Sequence, residues 1–319
     1  MVTSGTVRPA AAATNPRPSY VAREVGPVSI VVLAVAWAAV WLVVSPSGGS
    51  VGSVIGQWLG AEAVLLLSIG LVLISALPWV EQWFDGIDRA AIWHRRVMIT
   101  AMVLLVVHAE LATNPHPTPL GFGLGGLGLL GLLVLVAWAI APRWRSVIPR
   151  ALREPVAQLR RTAFGDGLRR MLGGYDRWRA VHRLAGLFLA VGFAHGLMDA
   201  TTFGSPVLRW SYVGIGAVGL GCYVYRELFA RRFAALHDYQ VAAVTPVAPD
   251  LTELTLRPLG RRLDFVPGQF ALLYVEGKDG WHRHPFTIAS APQEANVRVT
   301  VKALGDFTSA IANVIEPGT

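Results

Sequence analysis

The chain has 319 residues, 53% of them hydrophobic and only 15% charged, with a mean hydropathy of +0.48, which is too apolar for a soluble chain of this length. A net charge of +8 would suit nucleic acid if the basic residues formed one solvated patch, but they cluster in particular loops between apolar runs, which is the membrane pattern. Cys222 is the single cysteine, so intrachain disulfides, thiolate zinc sites and cysteine-ligated iron–sulfur clusters are excluded, and any metal or redox centre falls to histidine.

Residues 1–27 are rich in Ala, Pro and Thr and read as a disordered N-terminal tail. The first apolar run opens only at Val28, without the cleavage site of a signal peptide behind it. Six stretches are long enough to cross about 30 Å of hydrocarbon, at 28–44, 61–79, 92–112, 120–141, 181–201 and 207–228. The segments 45–60, 113–119 and 202–206 carry no Lys or Arg, whereas 143–179 alone carries ten Arg. Positive charge marks the cytoplasmic side, so the chain reads as a multi-pass cell-membrane protein with both termini cytoplasmic.

Four of the eight histidines fall in two spans. His94 and His108 lie fourteen apart on the third, and His182 and His195 thirteen apart on the fifth. Each pair is separated by roughly 20 Å along its helix, so two membrane levels are occupied. The two spans run in the same direction, which sets His94 opposite His182 at the inner level and His108 opposite His195 at the outer. Paired imidazoles from facing helices suit the axial positions of a haem iron, and ionisable groups inside a membrane are functional candidates by default. Hydrogen bonding of each histidine to a neighbouring helix is the blander account. Thirteen residues fall about 140° round a helix, so either the fifth span is distorted or its two haems sit at different azimuths. Arg95 and Arg183 each follow an inner-level histidine and could pair with haem propionates or serve as positive-inside anchors. His116, His237 and His282 lack paired spacing and read as ordinary polar residues.

Six spans with these two histidine pairs resemble the ferric reductase and NADPH oxidase superfamily over residues 28–319. The resemblance implies two b-type haems, His94 with His182 on the inner iron and His108 with His195 on the outer.

After the sixth span the composition turns to β-type runs at 239–247, 251–256, 269–275, 286–291 and 297–303, separated by turn signals. They carry Phe265-Val-Pro-Gly-Gln-Phe270, then His284-Pro-Phe-Thr-Ile-Ala-Ser-Ala-Pro292, then Lys302-Ala-Leu-Gly-Asp-Phe-Thr308. In that order they are similar to the ferredoxin reductase-type FAD barrel joined to ferric reductases. The resemblance implies FAD contacts from His284, Pro285, Phe286, Thr287, Ser290, Lys302, Gly305 and Thr308. Phe286 would offer an aromatic face to the isoalloxazine and Thr287 a hydroxyl to its edge. A helix opening at Gly305–Thr308 would present free N–H groups to the pyrophosphate. Gly121-Phe-Gly-Leu-Gly-Gly126 fits a dinucleotide fingerprint only as a string. It opens a membrane span with no strand before it, so small-residue helix packing accounts for it better.

The expected fold is thus an α-helical membrane bundle of six transmembrane helices over 28–230, followed by a partial β-barrel over 235–319. The resemblance further implies electrons from NAD(P)H, delivered through a nicotinamide-binding domain or partner reductase beyond Thr319, and a small outer acceptor, ferric iron or dioxygen. The lipid bilayer is the main partner and nucleic acid is not one. Two rival readings share these residues: a non-enzymatic haem and flavin relay fed by a partner protein, and a transporter with histidine proton relays.

Overall fold

The computed structural model describes residues 20–46, 50–75, 77–140, 149–162, 165, 167, 175–229, 237–265, 267–277, 280–304, 308, 309, 311 and 315–318. The chain divides into two compact units at Arg232 and Phe233.

The first unit is helical. Its described elements are α1 (Tyr20–Val44), α2 (Val51–Leu73), α3 (Pro78–Phe84), α4 (Ile87–Leu111), α5 (Pro119–Ile140), α6 (Arg153–Arg160), α7 (Tyr175–His182), α8 (Ala185–Asp199) and α9 (Pro206–Val224), with a π-helical turn over Tyr225–Phe229. Among the described residues six helices are long and apolar enough to cross a membrane, the fifth built from α7 and α8 in line. Helix α2 is the centre: two thirds of its apolar window is buried, against 11–28% in the other five. The outside of the bundle is apolar, with Leu42, Val43, Phe122 and Trp210 each at least 69% exposed. Water would penalise such a surface, and hydrocarbon does not.

Two spans differ from the sequence expectation. Helix α1 begins at Tyr20, inside the expected tail, and continues through Pro27; residues 1–19 lie outside the described set. Proline removes one backbone donor there, while the Ser29 hydroxyl binds the Gly26 carbonyl at 2.7 Å and Glu24 pairs with Arg89 of α4 at 3.0 Å. The second span begins at Val51 instead of 61. Ser50 caps it by accepting from the Ser53 N–H at 3.2 Å. Gly52, Gly56 and Gly60 dilute the hydropathy of this first half, but Gly56 and Gly60 form its packing face: a methyl group on them would meet the Ala112 nitrogen at 2.4 Å and the His108 ring at 2.7 Å. Span two therefore ends at Leu73, and the expected 74–79 portion goes to the turn and α3. Asp85 and Gly86, at φ of 54° and 117°, then reverse the chain into α4.

Helix α2 packs closely on α4, and α5 on α8. The three arginine-free loops meet at one end of the bundle. Ser53 donates to the Thr113 carbonyl at 2.7 Å, and Gln57 donates to the Thr201 hydroxyl at 2.8 Å and accepts from the N–H and hydroxyl of Thr202 at 3.1 and 2.9 Å.

Among its described residues the second unit holds five antiparallel strands: β1 (Tyr239–Ala248), β2 (Leu251–Pro258), β3 (Phe270–Gly277), β4 (Gly280–Thr287) and β5 (Val297–Lys302). They form a three-stranded sheet in the order β1-β2-β5 and a separate hairpin β3-β4, joined by one bridge between Ile288 and Val299. Leu254, Leu256, Val297, Val299 and Val301 from the sheet share a core with Ala271 and Phe286 from the hairpin and with Ile311 and Ile315. Among the described residues the strands therefore make two sheets over a common core, and a closed barrel is not seen. The fourth strand is also earlier than expected, at 280–287 rather than 286–291. The polar side chains of its sequence mask the strand, while full pairing with β3 from Phe270↔Thr287 to Gly277↔Gly280 defines it.

Candidate redox and flavin sites

Helix α4 carries His94 and His108, and their partners stand on the other helix pair, His182 ending α7 and His195 within α8. The His94 and His182 ring centroids are 6.5 Å apart with planes at 87°. Those of His108 and His195 are 6.2 Å apart at 67°. With metal–nitrogen bonds of about 2 Å and about 1 Å from each ring nitrogen to its centroid, two axial imidazoles on one iron place their centroids roughly 6 Å apart. Both pairs already have that separation. Among the described residues no three His, Cys, Asp or Glu side chains gather as a metal site; each pair by itself brings two imidazoles together.

Three of the four rings are oriented by backbone carbonyls: His94 Nδ1 lies 2.9 Å from the Gly70 oxygen, His108 Nδ1 2.8 Å from that of Gly56, and His195 Nδ1 2.9 Å from that of Gly121. A carbonyl can only accept, so each Nδ1 carries the proton and each Nε2 keeps its lone pair, the arrangement a metal ligand needs. His182 is held differently. Its Nδ1 meets no hydrogen-bond partner among the described residues, and its ring stacks on Trp178 at 4.9 Å and 16°.

Glycine makes these contacts possible. Gly60 lies against His108 and Gly125 against His195, where a methyl group would stand 2.9 Å from the ring. Gly128 and Gly131 meet Gly192 and Phe188 in the same way, whereas Gly123 and Gly126 face open space. Gly121 and Gly125 of the string rejected as a nucleotide fingerprint thus belong, with Gly128 and Gly131, to the face on which α5 receives α8.

The fifth span is distorted, one of the two explanations left open for the thirteen-residue interval. The span breaks at Arg183 and Leu184, where the Leu184 N–H bonds the Val181 carbonyl three residues back at 2.9 Å. A three-residue turn winds more tightly than an α-helix, which advances His195 round the axis. The break also sends the Arg183 guanidinium to Glu227 on the π-helical turn, while Tyr223 near the end of α9 donates to the Arg183 carbonyl at 2.8 Å. Arg95 is exposed on α4.

In the second unit β4 alternates. Phe286 is buried at 9% exposure, while Pro285 and Thr287 are exposed and His284 is half-buried. Phe286 therefore packs inward, and the open face of the hairpin consists of Pro285 and Thr287 beside their β3 partners Leu272 and Phe270, with Tyr274 further along. Phe270, Leu272 and Tyr274 are 36–41% exposed; this apolar, partly aromatic strip is the face that could receive a flat ring. The alternation of Phe270-Ala-Leu-Leu-Tyr274 could have signalled it, but its face became known only from the register. Ser290 is buried and accepts from the Arg298 N–H at 3.0 Å, and Lys302 lies 3.5 Å from Asp250. Gly305 lies outside the described residues, and the Thr308 hydroxyl accepts from the Leu304 N–H at 3.0 Å.

Beside the turn after β4, Arg298 binds Glu294 at 2.9 Å. That hydrogen bond, with the Ala291 N–H behind it, holds the Glu294 carboxyl below the usual carboxylate range.

Comparison with curated protein sequences finds no match. A crystal structure of flavohaemoglobin from Malassezia yamatoensis with bound FAD and haem is similar at 15% identity and a TM-score of 0.31, over 83% of this chain and 61% of that one. So loose a likeness leaves the fold to be argued from this chain's own residues. Residues 237–318, which fall within the second unit, match the FAD-binding domain family.

Proposed function

We propose that the chain is the membrane and flavin portion of an oxidoreductase that passes electrons from NAD(P)H, by way of FAD and two b-type haems, to an extracytoplasmic acceptor, ferric iron or dioxygen. The carrying observation is the pairing of four histidines from two spans, α4 and the α7–α8 pair, at centroid separations of 6.5 and 6.2 Å. Three of the four have Nδ1 engaged by a backbone carbonyl, which leaves Nε2 for iron. A bound flavin supplies the change from two-electron to one-electron transfer, and haem irons supply one-electron relay stations.

The chain's own residues do the rest. His94 and His182 hold the inner iron, and His108 and His195 the outer. The glycine faces of α2 and α5 fix the height of three rings through Gly56, Gly70 and Gly121, and Trp178 fixes the fourth by stacking. Pro285 and Thr287, with the strip of Phe270, Leu272 and Tyr274, provide the flavin face, and Phe286 supports it from beneath. Arg183, bound to Glu227 and half-exposed at 52%, keeps a role beside an inner propionate only if that ion pair opens. The arginine-rich end of the bundle is cytoplasmic and the end closed by Ser53, Gln57, Thr201 and Thr202 is external.

Visible spectroscopy of the purified chain tests this reading. Two haems per chain, with a low-spin Soret band and a sharp α-band after dithionite, are expected. A haem-free chain would refute it and favour a histidine proton relay.

A further inference from the structure

One of the four histidines has a carboxylate beside it. Asp199 closes α8 one turn beyond His195, is only 8% exposed, and brings Oδ2 to 3.7 Å from His195 Nδ1. Its other oxygen is committed elsewhere: Oδ1 accepts from the Thr118 N–H at 3.1 Å and from the Thr118 hydroxyl at 2.7 Å. Asn114 donates to the Asp199 carbonyl at 2.9 Å. Gly121 leaves the space, since a methyl group there would stand 2.5 Å from the carboxylate. Stabilising the start of α5 explains Oδ1, because an anion suits a helix N-terminus. It leaves Oδ2 unexplained.

That second oxygen makes the two histidine pairs unequal. At the outer level both Nδ1 atoms rest on carbonyls, and His195 has a buried anion added. At the inner level His94 has only its carbonyl, and His182 has neither carbonyl nor carboxylate among the described residues. A negative charge in a low-dielectric site favours the more positive state of a nearby iron. The Nδ1 proton itself is taken by the Gly121 carbonyl at 2.9 Å, so at 3.7 Å Asp199 acts on the site by its charge and not by a hydrogen bond.

We propose that Asp199 is a positioning residue that acts through His195 to lower the reduction potential of the outer centre below that of the inner one. The proposal rests on the bis-histidine haem reading above. Its consequence is that an electron prefers the inner level at rest, and that the outer level, once reduced, is the stronger reductant towards an acceptor.

The test is a redox titration of the full chain, followed at the haem α-bands, for wild type and Asp199→Asn. The substitution keeps the size of the side chain and an oxygen for Thr118 while removing the charge. His108→Ala, which should retain the inner centre alone, tells which step belongs to which level. The expected result is an outer midpoint shifted upward in Asp199→Asn, an inner midpoint unmoved, and both haems retained. Should Asp199→Asn fail to assemble, Asp199→Ser, which is smaller and still offers Thr118 an acceptor, must give the same upward shift. Midpoints that stay put, or that move together, overturn the proposal and leave Asp199 as a support for α5. Loss of the outer haem from both variants overturns it as well. A wild-type chain without haem would instead remove the reading on which it rests, so the two failures are distinguishable.

Discussion

Gly125→Ala tests the outer histidine pair without touching a ligand. A Cβ at this position would stand 2.9 Å from both Cε1 and Nδ1 of His195. Comfortable separation of such atoms is about 3.5–4.0 Å, so the ring must retreat by roughly 0.6 Å or more. It cannot do so freely, because Nδ1 is bonded to the Gly121 carbonyl on the same helix at 2.9 Å. Overpacking of this kind costs about 1–3 kcal/mol, equivalent to roughly a 5- to 150-fold weaker hold on the outer iron. Ala also favours the helix over Gly by about 1 kcal/mol, but Gly123→Ala and Gly126→Ala gain the same and meet nothing within 4 Å. The difference between Gly125→Ala and these two controls isolates the clash. Haem content per chain, measured on detergent-purified protein as its pyridine complex, should fall towards one in Gly125→Ala and remain at two in both controls. Equal haem content in all three variants would refute the assignment of His195.

Further outcomes are expected. His108→Ala or His195→Ala should remove one haem and spare the other, read from haem content and the amplitude of the α-band; an unchanged ratio counts against the pairing. The near-perpendicular planes of His94 and His182, at 87°, should give a strongly anisotropic low-spin signal in the electron paramagnetic resonance spectrum of the oxidised protein. Thr287→Val should weaken FAD binding in a flavin titration with little effect on folding. Phe286→Ala should instead destabilise the second unit by about 3–5 kcal/mol, as removal of a buried Phe does, seen as earlier thermal release of flavin. Glu294→Gln tests the turn after β4. A carboxyl held below its unfolded value of about 4.3 stabilises the fold above that pH and loses the contribution as pH falls through the lowered value. The variant should therefore melt earlier than wild type at neutral pH and alike in strong acid.

What the sequence determines by itself is what depends on local composition and period. Apolar runs of span length, arginine confined to one set of loops, and histidines at intervals of fourteen and thirteen are all readable because hydrocarbon thickness and helical rise are fixed quantities. The strings from Phe265 to Thr308 are readable for a similar reason, since flavin chemistry restricts residue types in order. The start of α2 was not readable: the low hydropathy of its glycines hides the fact that their missing side chains let α4 approach. The tertiary structure alone decides which face a residue uses. It turns Phe286 inward through the register of β3 with β4, sends Arg183 to Glu227 through the break at Leu184, and brings the Gly121 carbonyl of α5 to His195 of α8 across 74 residues of sequence. Those outcomes depend on how two distant segments pack, and no window along the chain contains both partners.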